Sequence, residues 1–123
     1  MLNKVEIMGR IVKDPVLNYT QLGVPVTSFT IAVDKDTRVN GSDDGTDFID
    51  IVAWRNLAES VVRTLRQSSM VMVDGKLTVR NWVDAKGHKR RNCEVEAECI
   101  YSADTGRSVL YEKDYSIREE LPE

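Results

Sequence analysis

The sequence is poor in the residues that build metal centres and disulfide frameworks. Among its 123 residues it has two cysteines, Cys93 and Cys99, and a single histidine, His88. Two cysteines are too few for a disulfide framework, and a zinc site made from these three residues would lack its fourth ligand. We therefore predict no metal or other cofactor, and we expect both thiols to be buried and reduced.

Long apolar runs and catalytic constellations are also missing. No stretch approaches the ~20 apolar residues that cross a bilayer, and the opening MLNKVEIMGR lacks the apolar centre of a signal peptide. The acidic pairs Asp43 with Asp44 and Glu94 with Glu96 have no histidine or activated nucleophile beside them, and there is no Gly-rich phosphate loop. These absences predict a cytoplasmic protein that is not an enzyme.

Charge is distributed unevenly, although the net formal charge is only −3. Residues 1–101 hold fourteen basic and fourteen acidic side chains, whereas residues 102–123 hold three basic and six acidic ones. The segment KLTVRNWVDAKGHKRRN, residues 76–92, carries six of the seventeen Lys and Arg residues against the single Asp84. Because affinity for a polyanion follows the local potential, the acidic total does not exclude a nucleic-acid partner.

Hydrophobic alternation with a period of two dominates the chain and predicts β-strands. It runs through residues 5–11, 24–34, 47–54, 71–79 and 90–101. Between the third and fourth runs, Leu57, Val61 and Leu65 recur every four residues and predict a helix of about three turns. This order is that of the OB-fold, an all-β, five-stranded Greek-key β-barrel with a helix between strands 3 and 4. We predict such a domain over residues 1–101 and a flexible acidic extension over residues 102–123.

The predicted fourth strand carries the clearest candidates for binding. Period two places cations, a hydroxyl and an aromatic ring on its outward face, and Leu77 and Val79 on its core face; the outward row is Lys76, Thr78, Arg80 and Trp82. The hairpin tip DAKGH follows, and positive charge continues along it with Lys86, Lys89, Arg90 and Arg91. Single-stranded nucleic acid requires cations that follow its phosphates and flat faces on which its bases stack. This hairpin supplies both.

Two further aromatic residues, Phe48 and Trp54, share one face of the predicted third strand. The other face of that strand, which begins with Ile49, already supplies core residues. We interpret the two aromatics as base-stacking residues, with a subunit interface as the alternative. Asp50 lies on the same face and is expected to repel phosphate there.

Five stretches of the sequence together resemble the bacterial single-stranded DNA-binding protein family over about residues 1–101. They are NKVEIMGR, the DP turn, FTIAVD, DFIDIVAWRNLAESV and VDGKLTVRNW. The resemblance implies an OB-fold that binds single-stranded DNA independently of sequence and protects it in replication, recombination or repair. It also implies a homotetramer built as a dimer of dimers, associated with the nucleoid of a bacterial cell.

The resemblance also implies roles for individual residues. The positions of Phe48, Trp54 and Trp82 match aromatics that stack on bases, whereas matching positions on or near the DNA path are occupied here by Lys4, Lys76, Arg80 and Asn81. Arg55, which directly follows Trp54, is a further candidate. With the cations of the hairpin, the candidate nucleic-acid-binding set is Phe48, Trp54, Trp82, Lys4, Arg55, Lys76, Arg80, Asn81, Lys86, Lys89 and Arg91.

Some features depart from the family pattern and leave alternatives open. Thr37 and Arg38 stand where some relatives have an aromatic, in a polar segment at residues 37–46 that we predict to be a mobile, acidic hairpin loop. The closing SIREELPE is acidic but lacks the aromatic of the family's tip, so it gives little support for the replication or repair partners that the resemblance implies. One alternative is a paralogue that acts mainly as a protein-interaction module in replication restart or recombination, with DNA binding weakened by Asp50. A second alternative is an OB-fold oligosaccharide binder or enzyme, which the basic hairpin disfavours.

Overall fold

The computed structural model describes residues 1–35 and 45–104 and the backbone of residues 109–112. Seven strands and one helix follow one another along them: β1 (Val5–Ile11), β2 (Asn18–Tyr19), β3 (Pro25–Asp34), β4 (Thr46–Trp54), α1 (Arg55–Thr64), β5 (Met70–Val83), β6 (Lys89–Ser102) and β7 (Val109–Glu112). No helix within the described ranges is long and apolar enough to cross a membrane.

Five of the strands close into a ring. β1 pairs with β5, β5 with β6, β6 with β4 and β4 with β3, and β3 returns to β1 at Ile31↔Ile11. Every pairing is antiparallel except that of β4 with β6, which is parallel at Ile51↔Val95. α1 follows β4, the third ring strand, and precedes β5, the fourth. The predicted all-β OB-fold architecture with one helix is therefore confirmed.

The core is made of side chains that the ring strands and α1 turn toward one another. Ile31 on β3 and Ile51 on β4 are fully buried. The helical row predicted from the four-residue spacing, Leu57, Val61 and Leu65, is buried as well, and α1 packs against β3 and β4. Burying each such side chain stabilises the fold by about 1.5–3 kcal/mol, so the two periods of the sequence explain why strands and helix assemble in this way.

A β-bulge interrupts the pairing of β5 with β6. Asp74 pairs with Cys99 whereas Gly75 pairs with Ala97, which leaves Glu98 as an extra residue on β6. The extra residue turns Cys99 to the face opposite to that of Ala97. The alternation predicted for residues 90–101 would place both side chains on one face, because strict alternation cannot anticipate an inserted residue.

β5 and β6 continue beyond the bulge as a two-stranded hairpin, residues 76–94, which we call the arm. Leu77 and Val79, predicted to face the core, are 42% and 50% exposed. That prediction is wrong, because the buried row on β5 ends at Gly75 and the arm strands pair only with each other. Cys93 is exposed on the arm and Cys99 is half-buried, so the expectation of buried thiols is also wrong.

Gly75 lies at the bulge because no side chain fits there. A Cβ at this position would collide with the carbonyl oxygen of Glu96. We expect Gly75→Ala to lower the free energy of unfolding by about 1–3 kcal/mol, the usual cost of forcing an extra methyl group into a packed site. Urea denaturation measures this change, with Val79→Ala on the exposed arm as the control. A Gly75→Ala protein with the wild-type midpoint would contradict the close approach of the two backbones.

The C-terminal part of the structure differs from the predicted flexible extension at two points. β6 extends to Ser102, and β7 pairs antiparallel with β6, Ile100 lying opposite Tyr111. A strand of only four residues leaves a short alternation that the sequence did not reveal. Residues 105–108 and 113–123 of the predicted extension lie outside the described residues, and so do residues 37–44 of the predicted hairpin loop.

Candidate nucleic-acid interface

The outward face of β4 carries an aromatic strip, which we define as Phe48, Asp50 and Trp54. Phe48 is 66% exposed, and Trp54 is half-buried beside its cross-strand neighbour Val26 on β3. Six residues separate the two rings, or about 20 Å along an extended strand. The strip can thus offer two flat surfaces at separate points of one path.

Asp50 lies between the two aromatics and is held by β3. The hydroxyl of Thr30, directly opposite on β3, donates a hydrogen bond of 2.9 Å to Asp50 Oδ1. Asp50 is exposed, and no ion pair joins it to any residue in the described part of the chain. A negative charge that has not been neutralised therefore adjoins Phe48.

A groove of about 490 Å³ runs beside the strip. Its polar lining includes Lys13, Asn18 and Thr30 next to Phe48 and Asp50. Lys13 and Asn18 were not among the residues predicted from the sequence. In the sequence, only their proximity to the DP turn marks these two residues. That proximity does not place them beside β4, because the placement depends on the pairing of β2 with β3 and of β3 with β4. Lys13 is exposed and makes no ion pair within the described ranges.

A second cleft opens between the strip and the arm. β4 and β6 pair at only two positions, Ile51↔Val95 and Val52↔Glu96. Residues 46–50 of β4 pair with β3 but not with β6. Phe48 lines this cleft together with Leu77, Cys93 and Glu94. The exposed apolar face of the arm and the exposed ring of Phe48 therefore border the same space.

The predicted outward row on β5 exists, but carboxylates on β6 accompany it. Lys76 Nζ lies 3.9 Å from Glu96 Oε1, and Arg80 Nη2 lies 3.2 Å from Glu94 Oε1. The cause is the register, which places Lys76 opposite Glu96 and brings Glu94 within reach of Arg80. These two predicted phosphate contacts are thus partly neutralised by their own sheet.

Trp82 lies at the outer end of the same face. It is 43% exposed, pairs across the arm with Arg90, and borders a shallow hollow with Asn81 and Val83. This hollow is separate from the two that Phe48 lines. Trp82 is therefore on the arm, whereas Phe48 and Trp54 are on the β4 strip.

The remaining cations of the arm have a different setting. Lys89 and Arg91 lie on the face opposite to Trp82, across from Val83 and Asn81. They are exposed, as is Lys86 at the tip, and no carboxylate among the described residues pairs with any of the three. Their charges are fully available to a ligand.

Asp84 organises the tip of the arm. Its carboxylate accepts hydrogen bonds from the backbone N–H groups of Lys86 and His88, each at 2.9 Å, and from Nε of Arg90 at 2.8 Å. The bond from His88 is the main cause that lowers the pKa of Asp84. Gly87 completes the turn with a φ of +84°. Arg90 is therefore committed to the turn, unlike its neighbours Lys89 and Arg91.

The last two predicted residues, Lys4 and Arg55, line neither of the two clefts that Phe48 borders. Lys4 donates a hydrogen bond of 2.8 Å to Asp74, which is the main cause that raises the pKa of Lys4, so this cation is paired as well. Arg55 is half-buried at the start of α1, with a φ of +61° in the left-handed region. This sparsely populated conformation marks the abrupt change from strand to helix immediately after Trp54.

Comparison with known proteins finds similar sequences along most of this chain. The family model described as "Single-strand binding protein family" matches residues 2–103. A single-stranded DNA-binding protein of Caldanaerobacter subterraneus subsp. tengcongensis is 44% identical over 100 residues, which cover 81% of this chain and 67% of that protein. Single-stranded DNA-binding protein A of Bacillus subtilis is 40% identical (81% and 58%), and a Thermotoga maritima single-stranded DNA-binding protein is 43% identical (80% and 71%). The matched part thus spans about three fifths to seven tenths of these relatives.

Proposed function

The chain belongs to the single-strand binding protein family, and we propose that it binds single-stranded DNA with little dependence on sequence, without a catalytic step. The exposed ring of Phe48 between two open clefts is the observation that carries the proposal. The ring is 66% exposed and shares a cleft with Leu77 on the arm, and an exposed apolar groove of this kind is typical of a ligand-binding site. Binding of this kind would protect the strand during replication, recombination or repair.

The candidate residues contribute unequally in this proposal. Bases stack on Phe48, Trp54 and Trp82. Phosphates meet the unpaired cations first, which are Lys86, Lys89, Arg91 and, in addition to the residues predicted from the sequence, Lys13. The paired cations Lys4, Lys76 and Arg80 must exchange a carboxylate for a phosphate, so each adds less. Asn81 can donate a hydrogen bond to a phosphate, and Arg55 positions Trp54.

Titration with oligo-dT at two salt concentrations tests the proposal. We expect quenching of tryptophan fluorescence as bases cover Trp54 and Trp82, and an affinity that falls with salt with a log–log slope of about −0.7 for each phosphate contacted. Duplex DNA of the same length is the control, because its bases are not available for stacking. Failure to form a complex with oligo-dT at low salt would contradict the proposal.

We further propose that the protein assembles as a homotetramer, a dimer of dimers, in the cytoplasm on nucleoid DNA. β1 pairs with β3 only at Arg10 and Ile11, so along Val5–Gly9 its second edge has no strand partner in the described ranges. An open edge can pair with the same edge of another copy about a two-fold axis. Sedimentation should give four chains at micromolar concentration, and a monomer would contradict this proposal.

The alternatives have less support. The family match does not favour the protein-interaction module, and Asp50, on which that hypothesis rests, is held by Thr30 beside a groove rather than lying on a flat docking surface. No group of three or more His, Cys, Asp or Glu residues that could hold a metal ion occurs in the described part of the chain. We propose no partner protein.

A further inference from the structure

The groove beside Phe48 combines an aromatic ring with a fixed acceptor. Phe48 and Asp50 are two residues apart on one strand face, or about 7 Å. Thr30 occupies Oδ1 of Asp50, and within the described ranges no hydrogen bond to Oδ2 occurs. A base that stacks on Phe48 would therefore have a carboxylate oxygen at its edge.

The bases differ sharply in what they offer to a carboxylate, which only accepts hydrogen bonds. Guanine presents two adjacent donors, N1–H and the N2 amine, which match Oδ2 and the lone pair of Oδ1 that Thr30 leaves open. Thymine presents a single N3–H between two carbonyl oxygens, and these repel a negative charge. Adenine and cytosine present one amine beside a ring nitrogen that accepts. Unpaired bases are commonly recognised by hydrogen bonds of this kind at the Watson–Crick edge.

From this geometry we infer that Asp50 makes the Phe48 subsite selective for guanine over thymine. The inference rests on the proposed function and adds to it a base preference at one position of an otherwise unselective path. Lys13 lines the same groove and is placed to hold the neighbouring phosphate, which offsets the repulsion between that phosphate and Asp50. Thr30 acts as a positioning residue, because its hydroxyl orients the carboxylate.

Competition between short oligonucleotides tests the inference. We would use dT oligomers of about eight nucleotides, within the span of one OB-fold, and the same oligomers with isolated dG residues, too sparse to form quadruplexes. The wild type should prefer the dG-containing strand roughly tenfold, the order of discrimination given by one good pair of hydrogen bonds. Hypoxanthine, which lacks the N2 amine, should lose most of this preference.

Variants of the same strand supply the controls. Asp50→Asn should abolish the preference for dG and strengthen binding of dT. Asp47→Asn removes the same charge three residues away, from a carboxylate that lies 3.7 Å from Lys35 Nζ on the other face of β4, and should keep the preference. Thr30→Val should weaken the preference while retaining the charge.

The outcomes separate the inference from the function on which it rests. Equal affinity of the wild type for dT and dG-containing strands would overturn the inference while leaving single-stranded DNA binding in place. An equal gain in affinity for every strand in both Asp50→Asn and Asp47→Asn would also overturn it, because it would reduce Asp50 to a general repulsive charge. If the wild type bound none of the strands, the proposed function itself would fail.

Discussion

A variant with both Phe48→Ala and Trp82→Ala is expected to bind single-stranded DNA roughly 30-fold more weakly than the wild type, or weaker still. Stacking of one base on an aromatic side chain contributes about 1–3 kcal/mol, and the two rings are on separate elements, so their losses should add. Both rings are substantially exposed. The fold should therefore tolerate their removal.

Fluorescence anisotropy of a labelled oligo-dT measures this loss without relying on the removed tryptophan. The single variants show how the loss divides between the β4 strip and the arm. Leu22→Ala is the control, because Leu22 is a large exposed apolar residue in the turn between β2 and β3. If the double variant kept the wild-type affinity and an unchanged thermal unfolding midpoint, bases would stack on neither Phe48 nor Trp82.

Two triple variants that each remove three positive charges are expected to differ strongly in the salt dependence of their DNA binding. Lys86→Ala, Lys89→Ala and Arg91→Ala together remove the unpaired cations of the arm. Each phosphate contact makes the slope of log affinity against log salt steeper by about 0.7, so this variant should make the slope shallower by about 2. The matched variant removes the three paired cations, Lys4, Lys76 and Arg80, and should change the slope by clearly less.

The physical reason is that a paired cation already has a counterion. Lys4 has Asp74, Lys76 has Glu96 and Arg80 has Glu94, so phosphate binding must first displace a carboxylate that stays nearby. Anisotropy titrations of oligo-dT at several salt concentrations give both slopes. Equal slopes for the two triple variants would show that the ion pairs break when DNA binds, and that paired and unpaired cations contribute alike.

The contrast between these cations also shows the limit of sequence-based prediction of the site. The basic row and its aromatic were visible as Lys76, Arg80 and Trp82, because alternation assigns residues of one strand to one face. Their carboxylate partners were not visible, because the β5–β6 register decides which residue of one strand meets which residue of the other. The same register assigns Lys89 and Arg91 to the face opposite to Trp82.

Lys13 and the β-bulge are two further features that the sequence pattern could not predict. Lys13 reaches the groove beside Phe48 only after the segment between β1 and β3 has folded against the sheet, a contact between distant parts of the chain. One extra residue, Glu98, reverses the faces of β6 beyond it, so that Cys99 and Ala97 differ in direction. The local sequence pattern cannot reveal a bulge residue, because the bulge is visible only in the pairing of two strands.

The sequence alone determined the five strands of the ring, the helix and their order along the chain. Hydrophobic periods of two and four residues, Leu57, Val61 and Leu65 among them, reflect burial of one face of each strand or helix, and burial supplies most of the stability. Family membership follows from the same residues. Only the tertiary structure decided where the core ends on β5, which cations remain unpaired, and that Thr30 holds Asp50 beside a groove. Those properties depend on distances between residues far apart in the chain, which appear only when the ring of strands closes.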